Sequence, residues 1–160
     1  MQNSLTFRLA TLEDLPRIVS MLADDVLGVT RESSSNIVPE QYIQAFENIR
    51  SDPNQELTVA VLDNEIVATF HLTFIQYLTY QGGLRAQIEA VRTDSKFRGK
   101  GIGTSVFEYA IRRAKEKGCH LLQLTSDKRR PDAIRFYESI GFRPTHEGMK
   151  LPLYVSTSGL

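Results

Sequence analysis

The chain of 160 residues carries 19 Lys and Arg against 19 Asp and Glu, and 41% of its residues are hydrophobic. This length predicts one domain over residues 4–154, followed by a tail at residues 155–160. The balanced charge argues against a general nucleic-acid partner, and no apolar run has the length of a membrane span. The single cysteine excludes an internal disulfide and a cysteine-based metal cluster, and it fits a cytoplasmic location.

Hydrophobic periodicity predicts strands and helices along most of the chain. Thr11 followed by Asp14 predicts a capped helix start, and two β runs joined by Asp63–Asn64 predict a hairpin. The predicted strands are residues 5–9, 57–62, 65–75, 84–91 and 121–125, with a terminal hairpin within 142–153. The predicted helices begin near residues 11, 39, 102 and 131. This order, β-α-α-β-β-β-α-β-α-β-β, predicts an α/β fold with a mixed, mostly antiparallel central sheet flanked by helices.

The stretch from Arg98 to Thr104 reads Arg-Gly-Lys-Gly-Ile-Gly-Thr and joins a predicted strand to a long amphipathic helix. Backbone N–H groups at the start of a helix have no intrahelical partner, and the helix dipole adds positive charge there. Glycines let a ligand approach the backbone closely. The stretch therefore predicts a binding site for a phosphate or pyrophosphate group.

Two common phosphate-binding patterns do not fit this stretch. The dinucleotide pattern G-x-G-x-x-G meets Thr104 at its last position, and the strand before it follows a β-meander. The Walker pattern fails because no Gly-Lys-Ser/Thr ends the run: Lys100 is followed by Gly101 and Ile102.

The pattern that does fit is R-x-x-G-x-G, at Arg98, Gly101 and Gly103, which resembles the acetyl-CoA signature of the GNAT family of N-acetyltransferases. Residues 91–94 resemble the strand end that leads into the family's pyrophosphate loop. Residues 133–142 read Ala-Ile-Arg-Phe-Tyr-Glu-Ser-Ile-Gly-Phe and are similar to its second signature, A-x-x-F-Y-x-x-x-G-F. The order of predicted elements matches the family fold as well.

This resemblance implies the acyl-CoA N-acyltransferase fold and direct transfer of an acetyl group to a primary amine of a small molecule or protein. Acetyl-CoA would be the co-substrate, no metal would take part, and a homodimer would be plausible. The alternative is a CoA-binding sensor or regulatory module of the same fold without turnover. Arg130 departs from the family, which often has Asn there, so Arg129 or Arg130 would meet a phosphate instead.

The residues expected to bind CoA lie on both sides of the boundary between strand and loop. The backbones of Val91 and Thr93 would pair with the amide-bearing pantetheine arm, which requires the strand to part from its neighbour beyond Glu89. The alternative is that both are ordinary sheet residues. The pyrophosphate would be held by backbone N–H groups of Arg98, Gly99, Lys100, Gly101, Ile102, Gly103 and Thr104.

Tyr137 and Glu89 are the candidate catalytic residues. The resemblance makes Tyr137 the acid that protonates the departing thiolate, and a core aromatic is the alternative. Glu89 interrupts an apolar strand, where a carboxylate is costly unless it is paired or used. It is therefore either the base for the amine, a role that a water chain can also fill, or part of an ion pair. His71 is a weaker candidate base, and the Val91 N–H is a candidate oxyanion donor.

Specificity for the acceptor is expected to come from residues 24–36 and 70–80. The acids Asp24, Asp25 and Glu32 in the first region can hold a cationic amine, or they can form a solvated acidic loop.

Overall fold

The computed structural model describes residues 4–24 and 37–153. The chain divides into two compact units, Met1–Gln123 and Leu124–Leu160, which we call the N-terminal unit and the C-terminal unit. The strands of the N-terminal unit are β1 (Thr6–Leu9), β2 (Gln55–Leu62), β3 (Glu65–Gln76), β4 (Leu84–Thr93) and β5 (Leu121–Gln123). The longer helices are α1 (Leu15–Ala23), α2 (Glu40–Ser51) and α3 (Ile102–Glu116) in the N-terminal unit and α4 (Pro131–Ser139) in the C-terminal unit.

The five strands form one sheet in the order β1-β2-β3-β4-β5. All neighbouring pairs are antiparallel except β4 and β5, which are parallel and are connected through α3. Asp63 and Asn64 have φ angles of 51° and 64°, the left-handed geometry of a tight hairpin turn, between β2 and β3. The predicted α/β class with a mixed, mostly antiparallel sheet is confirmed, and so is the predicted hairpin.

A 3₁₀ turn at Leu12–Asp14, which leads directly into α1, has the capping arrangement that the sequence predicts. The Asp14 carboxylate accepts a hydrogen bond from the Thr11 N–H at 2.7 Å and two from the Arg8 guanidinium, at 2.6 and 2.9 Å. Arg8 holds the pKa of the Asp14 carboxyl below its usual range. Leu15 and the rest of the apolar face of α1 then pack with Phe46 of α2 in a buried cluster.

Helix α3 covers the opposite face of the sheet. Phe70 of β3 meets Tyr109 of α3 at a ring-centroid distance of 5.9 Å. The next residue, His71, pairs with Leu57, which packs against the α1–α2 cluster, so the two faces alternate along the strand. The buried residues of α3 recur at helical spacing, as its amphipathic pattern predicts: Ile102, Val106, Phe107, Ala110 and Ala114.

The terminal hairpin predicted within residues 142–153 is wrong, because these residues contain no strand. Pro144 and Pro152 lack the backbone N–H group that a paired strand donates to its neighbour. Two paired strands are therefore unfavourable in this segment. The strand before them, β5, ends at Gln123, two residues earlier than predicted.

A buried charge ties α3 to the sheet. Glu56 of β2 is 7% exposed, and its carboxylate accepts hydrogen bonds from Arg113 Nε at 3.0 and 3.2 Å and from Nη2 at 2.8 Å. Lys117 Nζ lies 3.8 Å from the same carboxylate. The carboxylate raises the pKa of Arg113. Removing one partner of such a buried pair leaves an uncompensated charge, which is strongly destabilising.

Replacing Arg113 by Met should therefore destabilise the fold by about 3 kcal/mol, because Glu56 would stay buried with only the more distant Lys117. The matched control is Arg112→Met, since that side chain is 65% exposed and lies 3.9 Å from Glu116. Its loss should stay below about 1 kcal/mol. Urea unfolding followed by circular dichroism gives both values, and equal losses would contradict a special role for the buried pair.

Candidate functional site

The loop between β4 and α3 presents backbone donors to open space. Gly99 and Gly101 have φ angles of 75° and 81°, and a Cβ atom at either position would meet no described atom within 4 Å. Gly101 is the N-cap of α3, and the Ser105 N–H donates to its carbonyl at 3.1 Å as the first bond of the helix. The N–H groups of residues 102–104 therefore have no partner within the helix. This arrangement suits an anion that approaches along the helix axis.

Asp94 fixes the point where the chain leaves the sheet for this loop. Its carboxylate accepts a hydrogen bond from the Lys96 N–H at 2.8 Å and a second one from Arg17 of α1. Its own N–H donates to the Val67 carbonyl at 2.9 Å. Arg17 holds the pKa of the Asp94 carboxyl below its usual range. The loop is thus anchored to α1 and β3 before any ligand arrives.

Three of the residues predicted to bind CoA differ in what their side chains can do. The Arg98 guanidinium turns back to donate to the Thr93 carbonyl at 3.2 Å and to the Asp24 carbonyl at 3.3 Å. Ile102 is 7% exposed, so only its backbone N–H can face a ligand. Lys100 is exposed and is able to add a positive charge to a bound anion.

Strand β4 contains a β-bulge just before the loop. Between the pairs His71–Glu89 and Thr69–Arg92, two residues of β4 lie opposite one residue of β3. Ala90, the first of the two, has a left-handed φ of 52°. That conformation costs about 1–2 kcal/mol in a residue with a Cβ atom. Bulges re-aim the chain and interrupt strand pairing, and they occur often beside active sites.

Near the bulge, β4 is no longer paired with β5, its neighbour on the other side from β3. Strand β5 pairs with β4 only along residues 85–87, so no strand of the described N-terminal unit covers the other edge of residues 88–93. The carbonyls of Val91 and Thr93 accept hydrogen bonds from arginine side chains, at 2.8 and 3.2 Å. A ligand that pairs with this edge would compete with those guanidinium groups for the two carbonyls.

Glu89 is exposed, so the expectation of a costly buried carboxylate in the strand is wrong. The prediction assumed that the strand is still central in the sheet at this residue, but β5 pairs with β4 only along residues 85–87. Within the described residues, Glu89 forms no salt bridge, with Arg85 or with any other cation. Its carboxylate is therefore open to a ligand at the bulge.

His71 lies directly opposite Glu89 in the register of β3 and β4. Its Nε2 atom is buried and has no hydrogen-bond partner in the part of the chain that the structure describes. Burial lowers the pKa of the imidazole, against the attraction of Glu89, so the ring is neutral at pH 7. Sequence analysis ranked His71 below Glu89.

Tyr137 lies in the C-terminal unit, on α4. It is half-buried, and its ring contacts two phenylalanine rings edge to face, at centroid distances of 5.7 and 6.2 Å. Arg130 is the N-cap of α4 and makes no side-chain capping bond. The neighbouring Arg129 is held by Asp127, at 2.7 and 3.0 Å. Of the two arginines considered for a phosphate contact, Arg129 is thus already paired within its own loop.

The regions expected to select the acceptor are described only in part. Residues 25–36, with Asp25 and Glu32, lie outside the described residues. Asp24 is described, and its carboxylate lies 3.8 Å from Arg98.

In the second region, Phe70, Leu72 and Phe74 are buried on the α3 side of the sheet. The residues between them share the face of Glu89, which leaves His71 and Thr73 as the side chains of β3 closest to a ligand there.

Within residues 4–24 and 37–153, no group of three or more His, Cys, Asp and Glu side chains is arranged to hold a metal ion. Over the same ranges, none of the helices has the length and apolar character that crossing a bilayer requires.

Comparison with solved structures identifies proteins of the same fold. A structure described as a transcriptional regulator from Bacillus halodurans C-125 is 54% identical, with a TM-score of 0.90 over 93% of this chain and 99% of that one. A predicted acetyltransferase from Clostridium acetobutylicum, solved with acetyl-CoA, is 25% identical, with a TM-score of 0.73 over 94% of this chain and 97% of that one.

Comparison with curated proteins and family models adds the family. The aminoalkylphosphonate N-acetyltransferase of Salmonella typhimurium is 27% identical over 95 residues, which are 59% of this chain and 61% of that relative's length. The model of the acetyltransferase (GNAT) family matches residues 23–142, which include β4, the glycine loop and both signature motifs. The resemblance drawn from Arg98 to Gly103 is therefore confirmed, and the chain belongs to the GNAT family of acetyltransferases.

Proposed function

We propose that this protein is an acetyl-CoA-dependent N-acetyltransferase that transfers an acetyl group directly to a primary amine of a small molecule or protein. The observation that carries the proposal is the continuity of the bulged end of β4 with the glycine-capped start of α3. An extended arm can pair with the strand edge while its phosphate end meets the helix start. Acetyl-CoA combines an amide-bearing arm with a pyrophosphate, so one molecule satisfies both sites.

In the proposed reaction, the amine nitrogen attacks the carbonyl carbon of the thioester. The C–N bond forms, the C–S bond breaks, the amine loses one proton and the departing thiolate gains one. The Val91 N–H is proposed to donate to the carbonyl oxygen, where negative charge develops. The bulge supports this role because it changes the direction of the backbone at that residue.

The amine proton is assigned to Glu89, with His71 behind it. Glu89 is exposed at the bulge and can meet the amine, while the neutral His71 opposite it is able to accept a proton. A short water chain between the amine and these groups is the alternative route.

The thiolate proton is assigned to Tyr137, a role that rests on the family resemblance. After the products leave, Tyr137 regains a proton from solvent, and the proton taken from the amine returns to solvent. The residues proposed to hold the pyrophosphate are the backbones of 98–104, with Lys100 as the exposed cation.

Of the two acceptor classes in this proposal, small molecules and proteins, the relative named for aminoalkylphosphonates supports a small molecule. The one observation that supports a cytoplasmic location is that the chain has a single cysteine. A homodimer is supported by the family resemblance only.

A second candidate is a CoA-binding regulatory module that keeps the fold without turnover. It is favoured by the 54% identical structure, which is described as a transcriptional regulator. The balanced charge of this chain, with 19 basic and 19 acidic residues, does not add support for direct nucleic-acid binding.

Thiol release from acetyl-CoA with a panel of primary amines distinguishes the two candidates, provided that mass spectrometry identifies the acetylated amine. An enzyme should turn over at least one class of amine, and Glu89→Gln should slow that turnover without weakening acetyl-CoA binding. Tight acetyl-CoA binding with no product from any amine would favour the regulatory module.

Replacing Gly101 by Asp should weaken CoA binding roughly 100-fold, because a carboxylate at the helix start repels the pyrophosphate. The matched control is Gly118→Asp near the other end of α3. Gly118 also has a left-handed φ, of 80°, and equally open space around its Cβ position, so the backbone strain is the same. Calorimetric titration with CoA measures both affinities. An unchanged affinity in Gly101→Asp would refute the pyrophosphate site.

Replacing Tyr137 by Phe should lower kcat about 100-fold, as loss of a general acid does, while KM for acetyl-CoA changes little. Tyr109→Phe is the control, since Tyr109 is a half-buried tyrosine on the sheet side of α3. It should leave kcat unchanged. Equal effects of the two substitutions would assign Tyr137 a packing role instead.

Stability should depend on pH through His71. Because burial lowers its folded-state pKa, the unfolded chain binds more protons than the folded protein near pH 6. The stability is full above the ordinary histidine pKa of about 6.5 and falls as the pH drops through that value. His71→Gln should reduce the loss in urea midpoint between pH 7 and pH 5.5. The same loss in wild type and variant would show that His71 is not its source.

A further inference from the structure

Arg85 presents a positive charge on the same face of β4 as the proposed amine site. The alternate residues Ala86 and Ile88 are buried on the α3 side, at 0% and 2% exposure. Arg85, Gln87 and Glu89 therefore share the other face. The Gln87 side-chain carbonyl accepts a hydrogen bond from Gln123 of β5 at 2.8 Å, so this face is polar along its length.

Among the residues that the structure describes, the guanidinium of Arg85 has aromatic neighbours but no anionic one. Its Cζ atom lies 4.5 Å from the ring centroid of Tyr77 and 5.3 Å from that of Tyr80. Its Nε atom is buried without a hydrogen-bond acceptor, and no carboxylate of the described residues pairs with it. Cation–π contacts stabilise such a group only partly. A half-buried cation without a counter-charge is unfavourable unless a ligand supplies that charge.

The turn after β3 holds one of these rings in place at a conformational cost. Tyr80 and Gln81 have left-handed φ angles of 55° and 58°, which residues with a Cβ atom rarely adopt. The Tyr80 ring stacks on His120 at 4.9 Å, and His120 Nδ1 lies 2.9 Å from the Leu84 carbonyl. Strained residues that their surroundings fix in this way cluster at ligand sites.

We propose that Arg85 binds an anionic group of the acceptor, a carboxylate or a phosphoryl group, while the amine of the same molecule reaches Glu89. This inference rests on the proposed function, because it names the class of amine that the enzyme acetylates. Four residues of strand separate the Cα atoms of Arg85 and Glu89 by roughly 13 Å, which the two side chains shorten. The acceptor is thus an amine that carries its negative charge several bonds from the nitrogen.

The test compares three series of acceptors with three to eight carbons: ω-aminoalkanoates, ω-aminoalkylphosphonates and the neutral n-alkylamines of equal length. Wild-type kcat/KM should be at least about tenfold higher for one anionic series, with an optimum chain length set by the distance between the two sites. The series that wins identifies the anion as a carboxylate or a phosphoryl group. Equal kcat/KM for charged and neutral amines of every length would overturn the proposal.

Arg85→Met should remove that preference and change kcat/KM for neutral alkylamines less than about threefold. Arg85→Lys keeps the charge without the planar fork and should lose only part of the preference. If Arg85→Met slows charged and neutral amines equally, Arg85 has a structural role and the proposal fails. Thermal unfolding of each variant separates that result from global destabilisation.

A separate binding measurement tests this anion subsite independently of any acetyltransferase activity. Hexanoate and hexylphosphonate have no amine, so chemical-shift titration with them reports on Arg85 even if no amine is ever acetylated. Saturable shifts at Tyr77 and Tyr80 that disappear in Arg85→Met support the anion site. Their absence in wild type refutes it, whereas absence of turnover alone refutes only the proposed function.

Discussion

The hydrogen-bonding capacity of one strand, β4, is the constraint on which the rest of the structure depends. Backbone N–H and C=O groups inside a protein need partners, and a strand inside a sheet normally finds them on both sides. Strand β4 has them on both sides only along residues 85–87, where β5 pairs with it. Beyond that point it has β3 alone, and the bulge at Ala90 interrupts even this pairing. A free edge that begins in the middle of a sheet invites an extended ligand.

The elements around β4 keep this unpaired end rigid. Asp94 joins the end of the strand to α1 through Arg17, and the Glu56–Arg113 pair joins α3 to β2. Between these anchors the chain turns through Gly101 into the first turn of α3, where its free N–H groups lie. Strand edge and helix start are thus held in one unit by contacts that need no ligand. That rigidity is what a site for a long cofactor-like substrate requires, since ordering a loose loop would reduce affinity.

How much of this could be predicted from the sequence depends on how local each signal is. The Thr11–Asp14 cap, the Asp63–Asn64 turn and the start of α3 after its glycines depend on signals a few residues long, and these local structures are confirmed. The bulge at Ala90 has no such local sequence signal, because alanine is not a residue type that favours the left-handed conformation. It results from the pairing of β4 with β3.

Other features could not be predicted for the same reason: they are determined by residues that are distant in the sequence. His71 Nε2 and Arg85 Nε lack a partner within residues 4–24 and 37–153. This depends on which strands and turns come together, and no spacing in the sequence shows it. The terminal hairpin was predicted from apolar residues alone. Pro144 and Pro152, which were visible in the sequence, should have counted against it.

Amide hydrogen exchange with and without acetyl-CoA tests the central claim most directly, because it reports on individual backbone N–H groups. If β4 and the start of α3 bind the donor, acetyl-CoA should slow exchange at Val91, Thr93 and residues 99–104. The N–H groups of β1, at the far edge of the sheet, should be unaffected. Saturable binding of acetyl-CoA without protection at the bulge and the glycine loop would contradict this site.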